Sequence, residues 1–177
     1  MPVEEQGVGG TAAAGSAAGS EAGSAGRVVA LGSELRRLHD RIRAVLDDAR
    51  DGLDPAVGAA SLGDDLVLRC RAVCTTLGSH HRDEDAALFP WLRREHPELG
   101  VVVERLEQDH RMIGALLAGL ARVVDDGAGR EVVLRHLQGV DAIMESHFRY
   151  EERELVVLLD AVRGDGPALP EGFWLGG

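Results

Sequence analysis

One phrase occurs twice in this chain and limits what it can become. Residues 79–85 read Ser-His-His-Arg-Asp-Glu-Asp, and residues 146–152 read Ser-His-Phe-Arg-Tyr-Glu-Glu. In each copy a His precedes a Glu by four positions, His80 with Glu84 and His147 with Glu151. On a helix those positions sit one turn apart on the same face, so each pair can address one target. A second phrase also recurs: Leu35-x-x-x-His39-x-x-Ile42-x-x-Val45-Leu46 matches Leu106-x-x-x-His110-x-x-Ile113-x-x-Leu116-Leu117. The two phrases alternate along the chain, which predicts two similar helical hairpins, each offering two His and one Glu.

The apolar spacing supports four helices. Between Val28 and Asp51 the apolar positions are 28, 31, 35, 42, 46 and 49, with His39 in the same stripe. Asp51-Gly52 and Asp54-Pro55 end that helix, and Ser61 with Asp64 resembles a capping box opening the second. The second stripe runs 66, 70, 73, 77, 80, 84 and 88, and Pro90 should break or kink the helix near residues 88–91. His96-Pro97 fits the start of helix three, whose stripe is 99, 103, 106, 110, 113, 117, 120 and 124. Helix four carries 133, 137, 140, 144, 147, 151, 155, 158 and 162, and Gly164 to Pro167 closes it. Short connections favour an all-α, antiparallel up-down-up-down four-helix bundle. Counted from the hairpin turns at ~1.5 Å per residue, the four stripe histidines fall at similar heights.

The flanks read differently. Residues 1–26 are rich in Gly, Ala and Ser and are expected to be a disordered tail. The bundle should occupy 27–164, and the apolar 165–177 tail could dock on its end. Aromatics make up only 3% of the chain, so the core must be aliphatic. The net charge is −11 and no Lys/Arg cluster occurs, which argues against binding nucleic acid or anionic membranes. No apolar run reaches the ~20 residues of a membrane span and no secretion signal is visible, so a cytoplasmic protein is expected. Cys70 and Cys74, one turn apart, are poorly placed for a disulfide and read as small core residues.

A single stripe His is usually a hydrogen-bonded core residue. Four His and two Glu on the inner faces of four helices are harder to explain, because no Lys or Arg shares those stripes to neutralise the carboxylates. Two divalent cations would neutralise them and satisfy the imidazoles. Six ligands exceed the needs of one tetrahedral zinc. They divide as His39 with His80 and His110 with His147, bridged by Glu84 and Glu151. Mixed imidazole and carboxylate donors with open positions suit iron, and manganese or zinc could fill the same site.

His39, the phrase His80-His81-x-x-Glu84-Asp85 followed by Leu88-Phe89-Pro90, Asp109-His110 and His147-Phe148-x-x-Glu151-Glu152 together make residues 28–163 resemble a hemerythrin-like HHE cation-binding domain. The resemblance implies a four-helix bundle around a non-haem di-iron centre. Oxygen-carrying hemerythrins have a further His four residues after the third-helix His; here that position is Gly114. The set is therefore more similar to members linked to nitric oxide, peroxide, iron handling or cluster repair, and a small oxidant (O2, peroxide or nitric oxide) is the expected partner. Two other readings use the same residues: an oxidase acting on a small organic substrate in a pocket vacated at Gly114, and a non-enzymatic iron or oxygen sensor. His81 and Asp85 lie about 100° round the helix from the ligands and are expected beside the metals or at a helix interface. Asp109 should hydrogen-bond a neighbouring group, Tyr150 and Glu154 are candidates to line the approach, and His136 is an inner residue too far from His147 to share its site.

Overall fold

The computed structural model describes residues 30–53, 63–162 and 167. The proposed tail at 1–26, the Ser61 cap and nearly all of the 165–177 tail lie outside them. The apolar stripes become α1 (Leu31–Gly52), α2 (Asp64–Asp83), α3 (Phe89–Glu95), α4 (Gly100–Asp125) and α5 (Arg130–Ala161). A π-helical turn, Glu84–Leu88, joins α2 to α3, and a 3-10 turn, Pro97–Leu99, leads into α4. No strand occurs among the described residues. Asp64 and Asp65 lie in the first turn of α2 and Glu131 in that of α5, where the helix dipole favours acids. At the other end of α4, Gly127 takes φ +65°. Gly127 N–H donates to the Val124 carbonyl and Ala128 N–H to that of Val123, a Schellman closure that turns the chain into α5.

Side-chain contacts give the helix directions. Along α1 and α5, Ser33 meets Asp160, Arg43 meets Glu152 and Glu145, and Arg50 meets Asp141. Numbers rise on one helix as they fall on the other, so the pair is antiparallel. The same holds for α2 against α4, where Arg71 reaches Asp125, Cys74 Sγ reaches the Leu117 carbonyl and His81 stacks on His110. Helix α1 packs on α2 and α5, and α4 packs on the same two, closing an antiparallel four-helix bundle.

The expected stripes are buried nearly throughout. Leu31, Leu99, Leu158 and Val162 are only partly buried, and Val156 and Leu159 take the inner positions near the end of α5. Apolar packing forms two clusters. One, built on residues such as Leu46, Leu77, Leu120 and Leu137, fills the end nearest the α1–α2 and α4–α5 connections. The other, with Leu35, Phe89, Leu92, Leu106 and Leu159, fills the opposite end. A polar layer lies between them.

The break or kink expected at residues 88–91 takes the form of a change of helix type, and the chain stays helical through Pro90 to Glu95. Phe89 N–H donates to the Glu84 carbonyl, five residues back, and Pro90 falls in the first turn of α3. The wider turn absorbs the residue whose missing N–H and bulky ring would otherwise interrupt the ladder.

At Gly32 α1 lies close against α5, and a Cβ there would strike the Val156 carbonyl and side chain. Gly32→Ala should therefore lower stability by about 1–3 kcal/mol through overpacking. Leu120→Ala, in a fully buried position remote from the polar layer, should cost about 2–5 kcal/mol. Urea unfolding monitored by circular dichroism reads both.

Candidate metal centre

Seven polar side chains fill the layer between the two apolar clusters: His39 from α1, His80 and His81 from α2, Glu84 from the π turn, His110 from α4, and His147 and Glu151 from α5. None is more than 5% exposed, and both glutamates are fully buried. All six side chains proposed as ligands from sequence thus meet in one place.

The carboxylates lie between imidazoles of different helices. Glu84 directs Oε1 at His80 Nε2 and Oε2 at His110 Nε2, each at 3.4 Å. Glu151 Oε2 lies 3.3 Å from His39 Nε2 and 3.6 Å from His147 Nε2. No carboxylate oxygen of either residue accepts a hydrogen bond from the described residues. Buried carboxylates are costly unless hydrogen-bonded, paired or metal-bound. Ligand atoms of His39, His80, Glu84 and Glu151 fall within 4.8 Å of one another, as do those of His81, His110 and His147. Both groups could hold a metal ion, and the donor chemistry fits one.

The outer nitrogens of two rings are held by acids. His39 Nδ1 donates to Glu152 at 2.8 Å, and His110 Nδ1 donates to Asp85 at 2.8 Å. Arg43 in turn holds Glu152 at 3.1 Å. With Nδ1 occupied, Nε2 of each ring is turned inward. Asp109 lies 3.8 Å from His147 Nδ1, beyond a hydrogen bond. Glu152 belongs to the repeated phrase but was assigned no role from sequence, and Arg43 was not singled out there. The signal for Glu152 was present in the repeat, because it follows Glu151 as Asp85 follows Glu84.

In the metal-free protein the charges settle unevenly. Burial pulls His39 and His110 down, but the surrounding carboxylates outweigh it and raise them to about 9 and about 10. Burial and the neighbouring Glu151 push Glu84 up to about 8. Burial opposes ionisation of Glu151 too, yet the His39 contact holds it below the usual carboxylate range. Burial lowers His147 to about 4, and it lowers His80 and His81 well below the ordinary imidazole value.

Other candidates lie elsewhere. Gly114 is exposed, with nothing near the place a Cβ would take, so it vacates no pocket at the cluster. Tyr150 is sandwiched by the Arg105 and Arg153 guanidinium groups on the α4–α5 surface, and Glu154 pairs with Arg153. The outer grooves that Tyr150, Arg105 and Asp109 line include none of the seven cluster residues. His136 is only half-buried; it bonds the Val132 carbonyl and packs near Gly119 rather than facing the centre. Cys70 and Cys74 are unbridged, and burial raises both thiols, Cys70 to about 11.

A helical bundle whose middle layer is a buried set of imidazoles and carboxylates defines a cation-binding protein. The description of the hemerythrin HHE cation-binding domain matches residues 31–159, and the chain belongs to that family. No curated protein and no solved structure matches the chain. No helix among the described residues is long and apolar enough to cross a membrane.

Two predictions follow from the geometry and the charges. Asp85→Asn and Glu152→Gln should each weaken metal binding about 10- to 100-fold by loosening the ring they hold, as read by competition with a chromophoric chelator. At pH 7, His39, His110 and Glu84 each carry a proton that a bound ion must displace. Loading with zinc, a redox-silent probe, should release about three protons per chain, and affinity should fall as pH drops from 10 to 7. A pH-stat titration and zinc isotherms measure these.

Proposed function

We propose that the centre holds two iron ions and that the protein binds or reduces a small oxidant: O2, hydrogen peroxide or nitric oxide. The observation that carries this reading is Glu84, whose two oxygens face imidazoles of two different helices at equal distance. A carboxylate so placed suits a bridge between two ions better than a ligand to one. His39 and His80 would hold one ion and His110 and His147 the other, with Glu84 and Glu151 shared. Mixed nitrogen and oxygen donors without thiolate favour iron over softer sites. When bound, the iron pair supplies the electrons that the oxidant takes up.

The chain's own part is to select and to insulate. Phe89 stacks on His110 at 5.1 Å and Phe148 on His39 at 3.8 Å, walling the layer with hydrocarbon. With every cluster residue buried, only a molecule of a few atoms fits the reading. The two outer grooves on the α4–α5 side are lined by none of these residues. Asp85 and Glu152 keep the His110 and His39 rings aimed inward while the charge of the centre changes.

The test is to load the protein with ferrous iron under anaerobic conditions, count iron per chain, and mix it with each oxidant. We expect two irons per chain and oxidation or adduct bands faster than free ferrous iron gives under the same conditions. His147→Ala and Glu151→Ala should each lose at least one iron while circular dichroism stays helical. A wild-type protein that holds fewer than two irons, or whose irons react no faster than free iron, would sink the proposal.

A further inference from the structure

The twin halves differ at one position inside the polar layer. After the first site His of each repeated phrase comes a ring that stacks on a histidine from the other half. Phe148 stacks on His39, with centroids 3.8 Å apart and planes 15° from parallel. His81 stacks on His110 in the same way, at 4.1 Å and 18°. The hydrocarbon ring of Phe148 shows that packing at this position needs no nitrogen. His81 nevertheless brings one, and its Nε2 is buried without a hydrogen-bond partner among the described residues. An unsatisfied buried nitrogen is costly and calls for an explanation.

Metal ligation is the obvious candidate, since His81, His110 and His147 can bring ligand atoms within 4.8 Å of one another. The ring planes argue against it. An imidazole binds an ion in its own plane, along the nitrogen lone pair. An ion held by His110 Nε2 lies in the plane of the His110 ring, and the His81 ring is stacked above that plane. His81 Nε2 is therefore beside such an ion and not aimed at it. The His147 ring, 5.2 Å away and nearly perpendicular, closes the other side.

We infer that His81 is a hydrogen-bond donor to a small anionic ligand bound on the His110–His147 side of the centre, and is not itself a metal ligand. The inference rests on the two-iron reading above. It makes the two sides of the centre unequal: one offers a bound anion an N–H group, and the Phe148 side offers only hydrocarbon. Ligands that accept a hydrogen bond would then collect on one side.

His81→Phe is the discriminating variant, because it installs the ring that the second half already uses. Iron content, Mössbauer spectra and azide affinity of the diferric protein should be measured on wild type and variant. We expect two irons per chain and unchanged Mössbauer parameters in both, with azide binding about 10- to 100-fold weaker in the variant, the effect of losing one hydrogen bond to a charged group. His81→Gln, which restores an N–H, should recover much of that affinity relative to His81→Ala, and this pair serves if the Phe variant fails to fold. Loss of one iron in the Phe variant would make His81 a ligand and overturn the inference. So would unchanged azide affinity, or a Gln variant no better than Ala, since the ring would then be packing alone. Fewer than two irons in the wild type would instead overturn the two-iron reading itself.

Discussion

Two fully buried glutamates in the middle of an aliphatic bundle set the terms for everything around them. A carboxylate removed from water, with no hydrogen bond on either oxygen, is among the most costly groups a core can contain. The helices meet that demand with five imidazoles and, among the described residues, no buried Lys or Arg side chain in the layer. In the metal-free state the compromise is lopsided, with Glu84 driven towards its neutral form and Glu151 held ionised against His39. Protons occupy the places that cations would take. The two apolar clusters, one at either end, supply the burial free energy that holds the polar layer together.

The repeat explains how four helices deliver these groups economically. Each segment that carries the His-x-x-x-Glu phrase serves the Leu-x-x-x-His histidine of the opposite hairpin. Residues 80–85 supply a stacked ring and a carboxylate partner to His110, and residues 147–152 do the same for His39. Because the services cross between halves, neither hairpin completes a half-site alone. Docking the hairpins and assembling the centre are one event.

Much of this was legible in the residues. A period near 3.6 shows which face of each helix is buried, and it placed His39, His80, Glu84, His110, His147 and Glu151 on those faces. What escaped depends on contacts between helices. His81, about 100° from His80, was expected beside the metals or at a helix interface, and the stacking of its ring on His110 becomes visible only when α2 is laid beside α4. Glu152 sits just outside the stripe and becomes visible only when α1 is laid beside α5. Gly114 occupies the right sequence spacing for a site residue yet faces outward, and Tyr150 is drawn to the surface by two arginines. Spacing carries no information about which neighbour a flank will meet.

The π turn at Glu84–Leu88 has a consequence for how this protein can change length. Such a turn stores one residue more than an ordinary helical turn. Removing one residue from 85–88 would let this turn close as an ordinary α-helical turn, with Phe89 then four positions after Glu84 and still on its face, so that Phe89 and Leu92 stay directed at the core they fill. A residue lost from regular α2 would instead turn everything after it by about 100°, so the π turn is a place where the chain can shorten while its polar layer and its apolar end keep their registration.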